Sequence, residues 1–68
     1  MNQSVSIGER LRDERQRLGL SQPAFGEVGG VTKKTQMLYE ASERMPDAMY
    51  LAALHRLGCD ILYIVTGE

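Results

Sequence analysis

Glycines cut this chain into pieces of helix length. Gly19, the Gly29-Gly30 pair and Gly58 separate segments whose apolar residues recur at the spacing of one helix face. The first segment, roughly Ile7 to Leu18, sets Ile7, Leu11 and Leu18 on such a face with Arg and Glu on the others, and Gly19 supplies the left-handed residue that closes a helix. A second short helix is expected from Gln22 to about Val28, since Ser21 offers an N-cap oxygen and Pro23 is tolerated in a first turn. Gly29-Gly30 stops it. Val31 and another capping residue, Thr32, then lead into a third helix of roughly two turns, Lys33 to about Glu40. Ser42 to Pro46 reads as a loop, and Asp47 opens a fourth helix with Tyr50, Leu51, Leu54 and Leu57 along one face until Gly58. Asp60 caps a fifth, Ile61 to Thr66. That last run, β-branched and aromatic, is also compatible with a strand, but a lone strand would find no partner elsewhere in the chain, so helix is the expectation.

With 68 residues, 43% of them hydrophobic and 25% charged, the chain has material for one packed core and is expected to form a single domain spanning residues 1–68. The longest apolar run, Ile61 to Val65, is far too short to cross a bilayer, and no charged-then-apolar leader precedes it. A cytoplasmic protein without membrane contact is the expectation. Cys59 has no second cysteine to pair with, and one thiol plus one histidine cannot close a structural zinc site, so the fold must rest on packing and no cofactor is expected. The formal net charge of −1 argues by itself against a nucleic-acid partner, because phosphate neutralisation is the main source of such affinity. Its distribution softens the objection: residues 1–34 carry +2 and residues 35–68 carry −3.

Two short helices joined by a tight glycine turn form a helix-turn-helix, here spanning about 22–40. The arrangement needs a small residue where the backbones cross, a glycine at the turn and apolar residues on the inner face of the second helix. Gly26, Gly30, Val31 and Tyr39 stand where those demands fall. Together with Leu18-Gly19-Leu20-Ser21-Gln22, Phe25, Thr32, Glu40, Pro46-Asp47, Leu57-Gly58 and Thr66-Gly67, this order and spacing resembles the phage-repressor (lambda-repressor-like, Xre/Cro-type) family over about residues 7 to 67.

The resemblance implies a compact five-helix, all-α DNA-binding domain of a sequence-specific transcriptional regulator, a phage or bacterial repressor acting on double-stranded DNA. Residue by residue, it implies that Gln22 touches the DNA backbone and reaches a base. Thr32, Lys33, Lys34 and Met37 would face base edges in the major groove, and Ser42 and Arg44 would grip phosphate. Lysine suits the O6 and N7 acceptors of guanine and also serves as a general phosphate contact. An ion pair between Arg15 and Glu40 is implied as well, tying the first helix to the recognition helix. A two-fold symmetric operator calls for a homodimer, weak without DNA, with Tyr63, Ile64 and Val65 of the fifth helix as interface candidates.

The chain departs from the family pattern in several places. Gln36 stands where a buried aliphatic residue is usual, so either its amide is hydrogen-bonded inside or the helix is rotated. Met37 and Leu38 are apolar where polar base readers are frequent, and Ala41 replaces the glycine or asparagine common after the third helix. With the low net charge, these departures define the alternative: a protein-interaction module that keeps the fold without strong DNA affinity.

Other residues are expected to be structural. Arg10, Arg12 and Arg17, interleaved with Glu9, Asp13 and Glu14, read as a solvated face. His55, Cys59 and Asp60 are close in sequence, but Gly58 breaks the helix that would align a nucleophile with its base, which leaves a buried cysteine beside a surface histidine. Phe25, Tyr39 and Tyr50 belong to the core or its rim, and no constellation of acid, base and nucleophile points to an enzyme.

Overall fold

The structure, a computed structural model, describes residues 5–68. Five helices make it up: α1 (Ile7–Arg17), α2 (Gln22–Gly29), α3 (Lys33–Glu40), α4 (Ala48–Leu57) and α5 (Ile61–Thr66). Each starts where a side-chain oxygen takes up an orphan backbone N–H of the first turn. Ser6, Ser21, Thr32, Asp47 and Asp60 accept from the third residue beyond them, and Ser6 forms a full capping box with Glu9. The run from Ile61 to Thr66 is a helix, and no strand occurs among the described residues.

The turn between α2 and α3 depends on Gly30, whose φ of 81° lies in the left-handed region that side chains resist. The corresponding turn after α3 is built differently. Ala41 caps the helix in an ordinary right-handed conformation, and the left-handed position passes to Ser42, with φ 59°. The glycine or asparagine usual after a third helix is therefore replaced by a serine one residue further on.

Leu11, Phe25, Tyr39, Tyr50, Leu54, Cys59 and Ile64 form the core, one or two residues from each helix and Cys59 from the α4–α5 link. Tyr39 and Tyr50 meet edge to face, centroids 4.9 Å apart, which favours the aromatic quadrupoles. Leu11, Phe25, Leu54 and Ile64 are wholly inaccessible, and each such burial stabilises by about 1.5–3 kcal/mol. Cys59 is buried and His55 exposed, and burial pushes the Cys59 thiol up to about 11. α2 packs on α3 and α4, while α1 packs on α3 and α5.

Two expectations are corrected here. Ile64 belongs to the core and not to a free surface; on α5 the exposed apolar side chains are Leu62 (62%) and Val65 (42%). The charged run on α1 is also not a solvated face throughout. Buried Arg10 donates from Nε to the Ile64 carbonyl (3.0 Å), from Nη1 to that of Val5 and from Nη2 to that of Val65 (3.4 Å). Its cation thus satisfies carbonyls at the negative end of α5. Buried Glu14 accepts from Arg17 Nε and Nη2, each at 2.9 Å, and from the Asp60 N–H at 2.7 Å, and Arg17 also donates to the Gly58 carbonyl at 3.1 Å. These side chains dock α1 onto the α4–α5 link and α5. Arg12 is exposed, as expected.

Candidate nucleic-acid interface

The two helices of the motif cross at Gly26. A Cβ there would stand 3.1 Å from the Val31 carbonyl, 3.3 Å from that of Thr32 and 3.4 Å from the Gln36 Cβ, so the close approach of α2 to α3 depends on a small residue. α3 then presents its first turn outward, with Thr32, Lys33 and Lys34 exposed and Met37, 47% accessible, one turn further along. The first turn of α3 contains no carboxylate, although the positive end of the helix dipole favours one. Two lysines at that end cost a little helix stability and leave donors free for an anion brought from outside.

The remaining candidates are held from below. Glu40, at the end of α3, accepts Arg15 Nε at 2.7 Å and Nη2 at 3.0 Å, and Arg15 Nη1 reaches the Leu20 carbonyl at 3.0 Å. The implied Arg15–Glu40 pair is present, with side chains 12% and 5% exposed. Gln22 donates from Nε2 to Glu40 Oε1 at 3.2 Å and Gln36 from Nε2 to Oε2 at 2.8 Å. Burial would push the Glu40 carboxyl up, but hydrogen bonds from Arg15, Gln36 and Gln22 outweigh it and hold the group below its ordinary value. The amide of Gln36 is hydrogen-bonded inside, accepting the Tyr50 hydroxyl on Oε1, which resolves the choice its polarity left open. Every buried side-chain nitrogen and oxygen among the described residues has a partner.

Thr32 caps α3, accepting the Thr35 N–H at 3.2 Å, and its own proton points to Thr35 Oγ1 at 3.3 Å. Ser42 accepts the Gly8 N–H at 3.0 Å, binding the α3–α4 loop to the start of α1 and leaving the hydroxyl proton to donate. Arg44 is exposed and, with Thr32 and Lys33, lines an open groove of about 800 Å³. Glu27 and Asp47 line the same groove, so its charges balance. Lys34, Met37, Gln22 and Ser42 lie outside it.

Gly8 went unread in the sequence. A Cβ there would run into the Glu40 and Tyr39 carbonyls and Ser42 Oγ, so α1 meets the end of α3 only through a glycine. A glycine inside a helical pattern signals merely a propensity cost, and nothing local marks its neighbour in space.

Five short helices with a two-helix unit crossing at a small residue, an exposed basic helix start and an Arg–Glu tie beneath it define a helix-turn-helix domain of the repressor kind. No family model matches the sequence. Over 63 residues the chain is 35% identical to Repressor protein C2 of Salmonella phage P22, an alignment covering 91% of this chain and 29% of that protein. It superposes on the crystal structure of the P22 c2 repressor in complex with a synthetic operator at a TM-score of 0.83 and 34% identity, covering 94% of this chain and 98% of that one. The solution structure of the P22 c2 DNA-binding domain superposes with a TM-score of 0.81 and 35% identity over 98% of this chain and 88% of that one. The chain belongs to the phage-repressor helix-turn-helix family.

Proposed function

We propose that this chain is the sequence-specific double-stranded DNA-binding domain of a transcriptional repressor, working in the cytoplasm and without enzymatic activity. The observation that carries the reading is the superposition, at 34% identity and over nearly the whole of both chains, on a repressor held to a synthetic operator. α3 enters the major groove from its N-terminal end. Lys33 and Lys34 read base edges there, Met37 meets a thymine methyl, and Thr32 orders the helix start that carries them. Gln22, held by Glu40, faces the DNA backbone beside a base, and Ser42 and Arg44 grip phosphates flanking the groove. One recognition helix reads few base pairs, so two copies on a two-fold symmetric site place their helices about 34 Å apart in successive major grooves.

The test is a fluorescence titration of the chain against random duplex and against duplex selected from a random pool, across a salt series. Binding that weakens steeply with salt and favours the selected duplex is expected. Absence of binding at any salt would instead favour a protein-interaction role for the fold.

A further inference from the structure

The buried polar atoms under α3 form one connected path. Tyr50 of α4 donates its hydroxyl to Gln36 Oε1, Gln36 donates to Glu40, and Glu40 joins Arg15 of α1 and Gln22 of α2. Gln36 is wholly buried and Tyr50 is 1% exposed, so neither side chain reaches a partner outside the domain.

We infer that Gln36 and Tyr50 act as a positioning pair, setting the roll of α3 about its axis and thereby deciding which base edges Lys33, Lys34 and Met37 reach. The inference rests on the DNA-binding reading and adds to it a source of specificity with no DNA contact. α3 has eight residues, and its inner face offers Gln36, Tyr39 and Glu40 to the body. The Tyr39 ring meets Tyr50 edge to face, and because such pairs hold over centroid distances of about 4.5–7 Å the contact tolerates sliding. Hydrogen bonds do not: beyond about 3.5 Å or well off line they are lost. On a helix whose Cα atoms lie about 2.3 Å from the axis, a roll of roughly 20° shifts side-chain roots by about 1 Å and side-chain tips by more. Such a roll breaks the Tyr50–Gln36 bond, which crosses from α4 to α3, and pulls Glu40 off Arg15 and Gln22, whereas the Gln36–Glu40 bond lies within α3 and moves with it. It also turns the outer face, where paired hydrogen bonds to a base demand fixed geometry. Gln36 sits at the α2–α3 crossing beside Gly26, where the backbones are closest and the roll is sensed most directly. An aliphatic residue at this position would leave the Tyr50 hydroxyl buried without a partner and remove one donor from Glu40.

The experiment compares the parent chain with Tyr50→Phe, Gln36→Leu and the double variant, measuring melting temperature and affinity for a duplex selected by the parent and for a scrambled duplex. Each single variant is expected to lower the selected-to-scrambled affinity ratio by about tenfold. Affinity for the scrambled duplex at low salt should stay within about twofold, because phosphate contacts come from the surface. In the double variant both buried polar groups are gone, so the melting temperature should recover relative to the singles while the ratio stays low. Tyr50→Phe keeps its ring against Tyr39 and decides the matter should Gln36→Leu fail to fold. An unchanged ratio in a folded single variant overturns the proposal, as does a ratio that returns with the melting temperature in the double. A parent chain that binds neither duplex at low salt overturns the DNA-binding reading itself, and the pair's role with it.

Discussion

Lys33 and Lys34 stand at the positive end of the α3 dipole in a first turn that has no carboxylate of its own, an arrangement that helix stability alone would not favour. Lys33→Ala and Lys34→Ala are therefore expected to leave the melting temperature unchanged or slightly higher while weakening binding to the selected duplex. A lysine paired with guanine should cost about 1–3 kcal/mol there and relax preference at one base pair. Equal loss on random duplex marks a phosphate contact, and unchanged binding in both variants would remove the reading surface. Gly8 poses the opposite case. Helix propensity alone would make Gly8→Ala stabilising by up to about 1 kcal/mol. The added Cβ meets two backbone carbonyls and Ser42 Oγ, so a net loss of about 1–3 kcal/mol in urea unfolding is expected. Parental stability would mean that α1 shifts freely against α3. Gly26→Val should also cost about 1–3 kcal/mol, and Gly26→Ala clearly less, since the Val31 and Thr32 carbonyls need give only slightly.

Between elements, two of the ties run through carboxylates. Glu14 joins α1 to the α4–α5 link, and hydrogen bonds from Arg17 foremost hold its carboxyl below the ordinary value. Glu40 joins α3 to α1 and α2 and is likewise held low against the pull of burial. A carboxyl with a depressed pKa in the folded state binds protons more tightly once unfolded. The stabilisation is thus complete above the unfolded value of about 4.3 and is lost as pH falls through the lower folded values. Urea midpoints measured from neutral pH downward should hold level and then drop below about pH 4. Glu40→Gln should flatten part of that drop. At neutral pH, Arg15→Ala should cost about 3–5 kcal/mol by leaving a buried carboxylate unpaired, and a near-neutral effect would mean that Gln22 and Gln36 suffice to hold it.

The whole body measures 29 × 23 × 22 Å, and most of its apolar side chains are committed to its own core. Leu62 and Val65 are the large apolar side chains that α5 leaves exposed, a small patch for an interface on that helix, while Val28, Met37, Met45, Met49 and Leu57 are exposed on other elements. An obligate interface generally buries more than about 2,000 Å², which is out of proportion to such a patch. The free chain is expected to sediment as a monomer or weak dimer at micromolar concentration. On a palindromic duplex the second contact becomes effectively intramolecular, and two copies should bind cooperatively. Analytical ultracentrifugation with and without duplex reads both states. A tight dimer without DNA would show a larger interface than α5 offers, and one protein per palindrome at saturation would overturn the two-fold mechanism.

Helix number, order and limits were legible in the sequence because their causes are local. Ser21, Thr32, Asp47 and Asp60 act on N–H groups within one turn, and Gly30 and Gly58 end helices by their own backbone freedom. The resemblance to the family implied the basic start of α3 and also the Arg15–Glu40 tie, a pair 25 residues apart that no local rule would have joined. What only the tertiary structure decided are pairings between distant residues: Gly8 with Ser42, Arg10 with the end of α5, Glu14 with Asp60, and Gln36 with Tyr50. Periodicity assigns a residue to a helix face. It does not say which partner that face will meet, and so Arg10 reads as solvated, Ile64 as free and Gly8 not at all until five helices are packed against one another.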